Sequence, residues 1–504
     1  MKKTRKALAV LLASTMTMGM LAGCGSSKTA ETTAAAAAAA GTTAAAKETE
    51  AAKDAPAASG EKAQVVIWSD ARHDLDLMTK KVEEFNASND HIEVTYDVYT
   101  DNYSQALQLA LDTGKGPDIF TCGQDGRKIG EAGAAMNLLD FLSEEELEYF
   151  GTDIEIGRST VDPTQIISLP WSSSFVRLVY NKDIFKEAGL VDANGEATPP
   201  TTYEEVIEYA KIITEKLSDQ GIYGFGMNLK SAGSALNRSL RPITIINEGV
   251  WDGYDLVNHK YNFDAYKDGV KLFKQMYDDG SMIPGVDQLD IDPMRAEFAM
   301  GHIGMYMSYS HAEVGVYASQ FPTEADWDYA LLPAKTNAGE YLCRQYDAGG
   351  PRFMISTEAK DKEATWEVYQ WLYGEDMLTS QYEAGLSVAA VTKIAESCTP
   401  EAIAKRPLTA KNTATDSSLP DSGLVAGVAV EGEDYNSVFA GHILGVPGYE
   451  DLDALCADLN ERYNTALKRG LEDGTVTAWV LKDVDLSNPA AAERVPLTAD
   501  MLAE

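Results

Sequence analysis

Aromatic, carboxylate, amide and guanidinium side chains recur just past the ends of segments that read as strands, where an open α/β sheet leaves room for a ligand. Trp68, Ser69, Asp70 and Arg72 follow the first such segment, and Cys122, Gly123, Gln124, Asp125 and Arg127 follow the third. Trp171, Ser174 and Phe175 lie at a crossing, Asn228 follows a later strand, and Ser308, Tyr309 and His311 follow another. Arg344, Tyr346 and Asp347 precede Gly349-Gly350. This inventory suits a sugar. Aromatic faces cover the apolar C–H face of a pyranose, while Asp, Asn, Gln and Arg take its hydroxyls by charge-assisted or bidentate hydrogen bonds. A buried carboxylate that accepts from a hydroxyl discriminates strongly, because an analogue lacking the hydroxyl leaves it unpaired.

Each position also has a plainer role open to it. Trp68 and Trp171 could be packed for area alone. Asp70 and Asp125 directly precede helix-like segments that they could cap, and His311 could be a satisfied structural histidine. Catalysis finds less support. Acidic side chains are plentiful, but glycoside hydrolysis needs two carboxylates at a set separation, which number alone does not supply. The six histidines are scattered, H-E-x-x-H does not occur, and Gly385-Leu-Ser-Val-Ala389 lacks the last glycine of a nucleophile elbow. Thr113-Gly114-Lys115-Gly116 lacks the Ser or Thr that follows the lysine of a phosphate loop. The expectation is a protein that is not an enzyme and uses no cofactor or metal.

Alternating strands and helices must position these residues. Gln64 to Trp68 and His91 to Tyr96 read as strands, and Asp74 to Asn86 carries Leu75, Met78, Val82 and Phe85 at helical spacing. Tyr103 to Leu111 is a second helix, ending before a strand at Ile119-Phe120. That order predicts a parallel, right-handed α/β sheet. Phe175 to Tyr180 is β-branched, aromatic and apolar, as a buried strand requires. Asp183 to Ala188 forms a short helix stopped by Gly189, and Thr201 or Thr202 caps a helix from Tyr203 to Leu217, with Glu204 and Glu205 at its positive end. Further on, Gly221 to Asn228 reads as a strand, Tyr266 to Asp279 as a helix and Tyr329 to Ala334 as a return crossing. Arg352 to Ser356 is a strand, Lys360 to Tyr373 a helix with Trp366, Tyr369 and Leu372 inward, and Leu452 to Leu471 a last helix.

Leu169-Pro170, Tyr180-Asn181-Lys182-Asp183, Phe185, Ala188-Gly189-Leu190, Pro199-Pro200 and Thr202-Tyr203-Glu204-Glu205 together resemble one long segment of the extracellular solute-binding proteins of ABC importers. The closest likeness is to family 1, the sugar-binding group that includes the maltose-type proteins. Gly114-Lys-Gly-Pro-Asp-Ile119 is similar to the segment that forms the third strand in that family. Arg295 to Ser308 resembles its later strand, although His302, Ile303 and Gly304 stand where small residues are usual. The resemblance spans roughly residues 65–474 and is poor over 399–448. It implies an α/β, two-lobed, periplasmic-binding-protein-like fold of type II, with the ligand cleft between the lobes, a carbohydrate ligand, and delivery to the transmembrane subunits of an ABC permease.

Met1-Lys2-Lys3-Thr4-Arg5-Lys6, the apolar stretch Ala7 to Met20 and Leu21-Ala22-Gly23-Cys24 read as a secretory signal ending in a lipobox-like motif. Residues 1–23 are then the signal peptide, and Cys24 carries the lipid anchor; an ordinary signal with a chance cysteine is the alternative. Residues 24–61 are rich in Ala, Thr, Glu and Lys, cannot offset the entropy of ordering, and form a tether. The remaining chain, about 440 residues, is too long for one ordinary core. Lobe one is assigned to 62–171 and 349–391, lobe two to 172–348 and 392–504. The 42 basic and 78 acidic side chains give a formal charge of -36. Such a surface repels nucleic acid and anionic lipid, which leaves the anchor as the membrane contact. Cys122, Cys343, Cys398 and Cys456 allow three disulfide pairings or remain free thiols.

The expectation is a monomeric lipoprotein on the extracellular face of the cell membrane. It captures a sugar or oligosaccharide, closes its lobes on it and delivers it to the permease. The alternatives are the same scaffold binding a uronate-containing sugar, with Arg72, Arg127 and Arg344 clamping the carboxylate, a polyol or a peptide, and an extracellular glycosidase.

Overall fold

The computed structural model of the 504-residue chain describes residues 62–99, 102–121, 129–130, 132–157, 159, 162, 164–347, 353–418, 425–487 and 492–502. Cys24, the tether, and the stretch holding Cys122, Gln124, Asp125 and Arg127 lie outside the described residues.

Val65, Ile67 and Ser69 of β1 (Ala63–Ser69) are buried and alternate with more exposed neighbours, as a strand covered on one face requires. α1 (Leu75–Ser88) buries Met78 and Val82 in the same cluster. β2 (Ile92–Val98) runs parallel to β1; after α2 (Tyr103–Asp112), β3 (Ile119–Thr121) pairs parallel on the other side of β1. The predicted alternation and strand sense are therefore those of the structure.

The chain crosses through Ser172–Ser173 into β4 (Val176–Asn181), whose residues are all buried. Asn181 caps α3 (Lys182–Ala188) by accepting from the Asp183 and Ile184 amides, and Gly189 ends it at φ +77°. Thr202 caps α4 (Tyr203–Leu217): its Oγ1 accepts from the Glu205 amide at 3.2 Å, while the Glu205 carboxylate accepts from the Thr201 amide and hydroxyl. Replacing Thr202 by Ala is expected to cost about 1 kcal/mol, read as a lowered urea midpoint at unchanged slope.

β5 (Tyr223–Phe225) is shorter than the predicted strand and presses against α4 at Gly224, where a Cβ would stand 2.1 Å from the Ala210 carbonyl oxygen. There follow α5 (Ala232–Arg238), α6 (Leu240–Glu248), α7 (Lys267–Asp278), α8 (Ile291–Ala299), β6 (Ile303–Tyr309), α9 (Ser310–Gly315) and β7 (Trp327–Ala330). β8 (Phe353–Ile355), α10 (Lys362–Leu372) and α11 (Leu452–Asp473) come later. Among the described residues one sheet has the order β8-β3-β1-β2 and another β7-β4-β6-β5. β8 is antiparallel to β3; β7 and β6 are antiparallel to β4, and β5 is parallel to β6. The segment expected to be a return crossing at Tyr329 is thus an edge strand of the second sheet, held there by its pairing with β4.

Two large hydrophobic cores follow the two sheets among the described residues. The first draws on residues between Val65 and Trp171 and between Phe353 and Ile403, with a small separate cluster around Phe120 of β3 and Met354 of β8; the second draws on residues between Val176 and Tyr346 and between Val425 and Leu497. Ile394 and Ile403 pack in the first core, so that half extends past residue 391, where the sequence analysis ended it. The crossings pair with each other, Ser172–Ser173 running antiparallel to Val388–Ala389. Cys343, Cys398 and Cys456 are unpaired. Burial pushes the Cys343 thiol to about 11 and the Cys456 thiol to about 12, so neither is a ready nucleophile.

Candidate ligand site between the two halves

The loop after β1, in the first half, meets α8 and α9 of the second. Arg72 Nη1 lies 2.7 Å from Asp292 Oδ2. Arg295 Nη1 donates to the other Asp292 oxygen at 3.2 Å, and Gln320 Nε2 donates to Oδ2 at 3.2 Å. Arg295 also grips Glu313, through Nε at 3.1 Å to both oxygens and through Nη2 at 2.6 Å. Glu313 is fully buried, and its remaining capacity is filled by the hydroxyls of Tyr306 at 2.8 Å and Ser308 at 2.5 Å. Burial alone would lower the Arg295 guanidinium, but the Glu313 carboxylate outweighs it and holds the group above its ordinary value.

His311, on α9, faces the first half. Its Nδ1 is 2.8 Å from Ser174 Oγ, and its ring meets that of His73 edge-on at 5.1 Å. Gly315 supplies the close approach beside it, since a Cβ there would lie 2.6 Å from the His73 carbonyl oxygen. Burial, then the nearby His73, Arg295 and Arg238, hold His311 well below its ordinary value of 6.5. The unfolded chain therefore takes a proton near that value while the folded chain does not. Stability is expected to fall as pH drops below about 6.5, and a His311→Gln variant should show a flatter profile in urea unfolding between neutral and mildly acidic pH.

Tyr309, at the end of β6, is half-buried between His311, 5.9 Å away, and Arg238, whose guanidinium carbon lies 5.0 Å from the ring centre. Arg238 Nη1 donates to Ser234 Oγ at 2.7 Å and to the Ser234 carbonyl at 3.0 Å. Asn228 Nδ2 donates to the same Ser234 hydroxyl at 3.0 Å. Among the described residues no group of His, Cys, Asp and Glu has the makings of a metal site.

Arg72, Ser308, Tyr309 and His311 are thus brought to one junction, and Asn228 joins them through Ser234 and Arg238. Trp68 and Asp70 stand beside it at the end of β1. Trp68 lies 4.6 Å from Tyr99, and Asp70 Oδ1 accepts from the Thr121 hydroxyl at 2.7 Å; Asp70 makes no helix cap, and α1 begins after Asp74.

Other candidates are placed elsewhere. Trp171 is 5% exposed and packs edge-on against Phe353 and Tyr373, within the first core. Phe175 is fully buried beneath the Arg177 guanidinium. Tyr346 is 4% exposed, stacks on Trp251 at 4.9 Å and pairs its hydroxyl with Cys343 Sγ at 2.9 Å, inside the second core. Neighbouring Arg344 donates its amide to the Leu486 carbonyl at 3.2 Å. Asp347 lies in a strand paired with Asp416–Ser418. Ser308 is also fully buried, its hydroxyl committed to Glu313. Gln124 and Asp125 fall outside the described residues. Asp292, Arg295, Glu313, His73 and Arg238 were not singled out from the sequence; helix positions separate them, and only the fold gathers them.

The chain belongs to the bacterial extracellular solute-binding protein family, which matches residues 73–378. The maltotriose-binding protein of Pyrococcus abyssi is 26% identical over 178 residues, 35% of this chain and 34% of its own length. The sn-glycerol-3-phosphate-binding periplasmic protein of Agrobacterium fabrum is 36% identical over 148 residues, 27% of this chain and 32% of its own length. The chain therefore matches about a third of the length of each of these relatives. A solute-binding protein of Thermotoga lettingae, solved with alpha-D-tagatose, superimposes with a TM-score of 0.61 at 18% identity, covering 80% of this chain and all of that one. The fold is the two-lobed α/β type II periplasmic-binding-protein architecture.

Proposed function

We propose that the chain captures a sugar or oligosaccharide between its two halves and delivers it to an ABC permease, working as a monomer held at the extracellular face of the membrane by a lipid on Cys24. One observation carries the reading. The halves meet through an ion pair, Arg72 with Asp292, and a ring contact, His73 with His311, and the chain crossings are tied together beside them. The ion-paired side chains are 33% and 20% exposed, and such a pair contributes at most about 1 kcal/mol. The closed form is held weakly by the protein alone, so a ligand touching both halves sets the balance. Members of the family named for maltotriose and solved with tagatose support a carbohydrate as that ligand.

A thermal-shift screen of the full chain against neutral mono- and oligosaccharides, with analysis of the recovered sugar, tests this. A concentration-dependent rise in midpoint with the sugar returned intact is expected. Released cleavage products would replace capture by hydrolysis, and no shift with any sugar would remove the carbohydrate reading.

A further inference from the structure

Arg238 closes α5 and reaches the junction through Tyr309, yet it is charged and short of partners. Its two hydrogen bonds both leave from Nη1 and both end on Ser234. Nε is buried with no partner, and among the described residues the guanidinium has no carboxylate within ion-pair distance. Its surroundings treat charge differently elsewhere: Arg177, Arg241 and Arg295, on the same half, are held by Asp416, Asp252 and Glu313. In a chain with 78 acidic and 42 basic side chains, a guanidinium left without a carboxylate is not explained by a shortage of acids.

The geometry says which edge is unpaired. With Nη1 spent on Ser234, the unused donors are Nε and Nη2, the edge that takes a planar carboxylate or two phosphate oxygens in a fork. Tyr309 supports one face of the guanidinium, and Ser234 fixes its far corner, so the fork is held in place beside an aromatic ring. A buried donor with nothing to bond costs free energy that an arriving oxygen returns. We propose that the ligand is an anionic sugar or polyol, whose carboxylate or phosphate docks on the Nε–Nη2 edge of Arg238 while its ring or chain lies against Tyr309. This rests on the capture reading above and narrows it. It also moves the anion contact from Arg72, which the structure pairs with Asp292, to a residue on the opposite half.

The test is calorimetric titration of the full chain with paired probes: glucose against glucuronate, galactose against galacturonate, glycerol against glycerol 3-phosphate, with maltotriose and raffinose as neutral oligosaccharides. The acidic member of at least one pair is expected to bind ten-fold or more tightly than its neutral partner, and to weaken as salt is raised. Which pair responds distinguishes a carboxylate from a phosphate. Arg238→Gln should abolish the preference for the acidic probe, and Arg238→Lys, which keeps the charge and loses the fork, should lose most of it. Neutral probes binding as well as acidic ones, or an unchanged acid affinity in both variants, overturns the inference and leaves sugar capture standing. Failure of every probe, neutral and acidic, overturns both.

Discussion

Asp416→Asn is expected to destabilise the protein by about 3–5 kcal/mol. Arg177 is 1% exposed and Asp416 is 1% exposed, and the two are joined by Nη1 to Oδ1 at 3.1 Å and Nη2 to Oδ2 at 2.5 Å. The same guanidinium donates to the carbonyls of Leu408 and Ala410 and to Gln345 Oε1. It therefore stitches three stretches distant in sequence to β4, including the segment that leaves the first core after Ile403. Removing only the carboxylate charge leaves the guanidinium buried and uncompensated, which is the costly way to break such a pair. Urea unfolding should show the loss as a lowered midpoint, and limited proteolysis should find new cutting within 406–418. A variant within about 1 kcal/mol of the parent would mean the pair is merely replaceable packing.

Glu313→Gln comes next, with an expected loss of about 3 kcal/mol. The amide cannot neutralise Arg295, and its NH2 group replaces a carboxylate oxygen that accepts from the Arg295 guanidinium, which has no acceptor to offer in return. The discriminating partner is the double variant Arg295→Met with Glu313→Leu. Removing both charges together is expected to recover much of the loss, because the desolvation of each disappears with the other. If the double variant is as unstable as the single one, the network is doing more than balancing charge, and Ser308 and Tyr306 would be the residues to examine through a second cycle.

The parallel sheet of the first half was legible because each strand and helix there carries its own period and its own stop, as with Leu75, Met78 and Val82 on α1. So was the cap of α4, for which the sequence offered Thr201 or Thr202 and the structure uses Thr202; the Asn181 cap of α3 was not read from the sequence. The site was legible only in part. Position past a strand end selected Arg72, Tyr309 and His311, which the fold brings to the junction, and also Trp171, Phe175 and Tyr346, which it packs within the cores. A large aromatic serves a core and a ligand wall equally well, and exposure, which the sequence does not carry, decides between them. Asp292, Glu313 and Arg238 were missed for a related reason: what singles them out is the presence or absence of a partner on another element, which only the fold brings within reach.

The most direct measurement of the central claim is amide hydrogen exchange of the full chain with and without a saturating sugar from the screen. Capture between the halves predicts slowed exchange at the loop after β1, residues 69–75, together with 228–238 and 308–315 of the other half, in one concentration-dependent step. Protection confined to one half, with the sugar demonstrably bound, would contradict it.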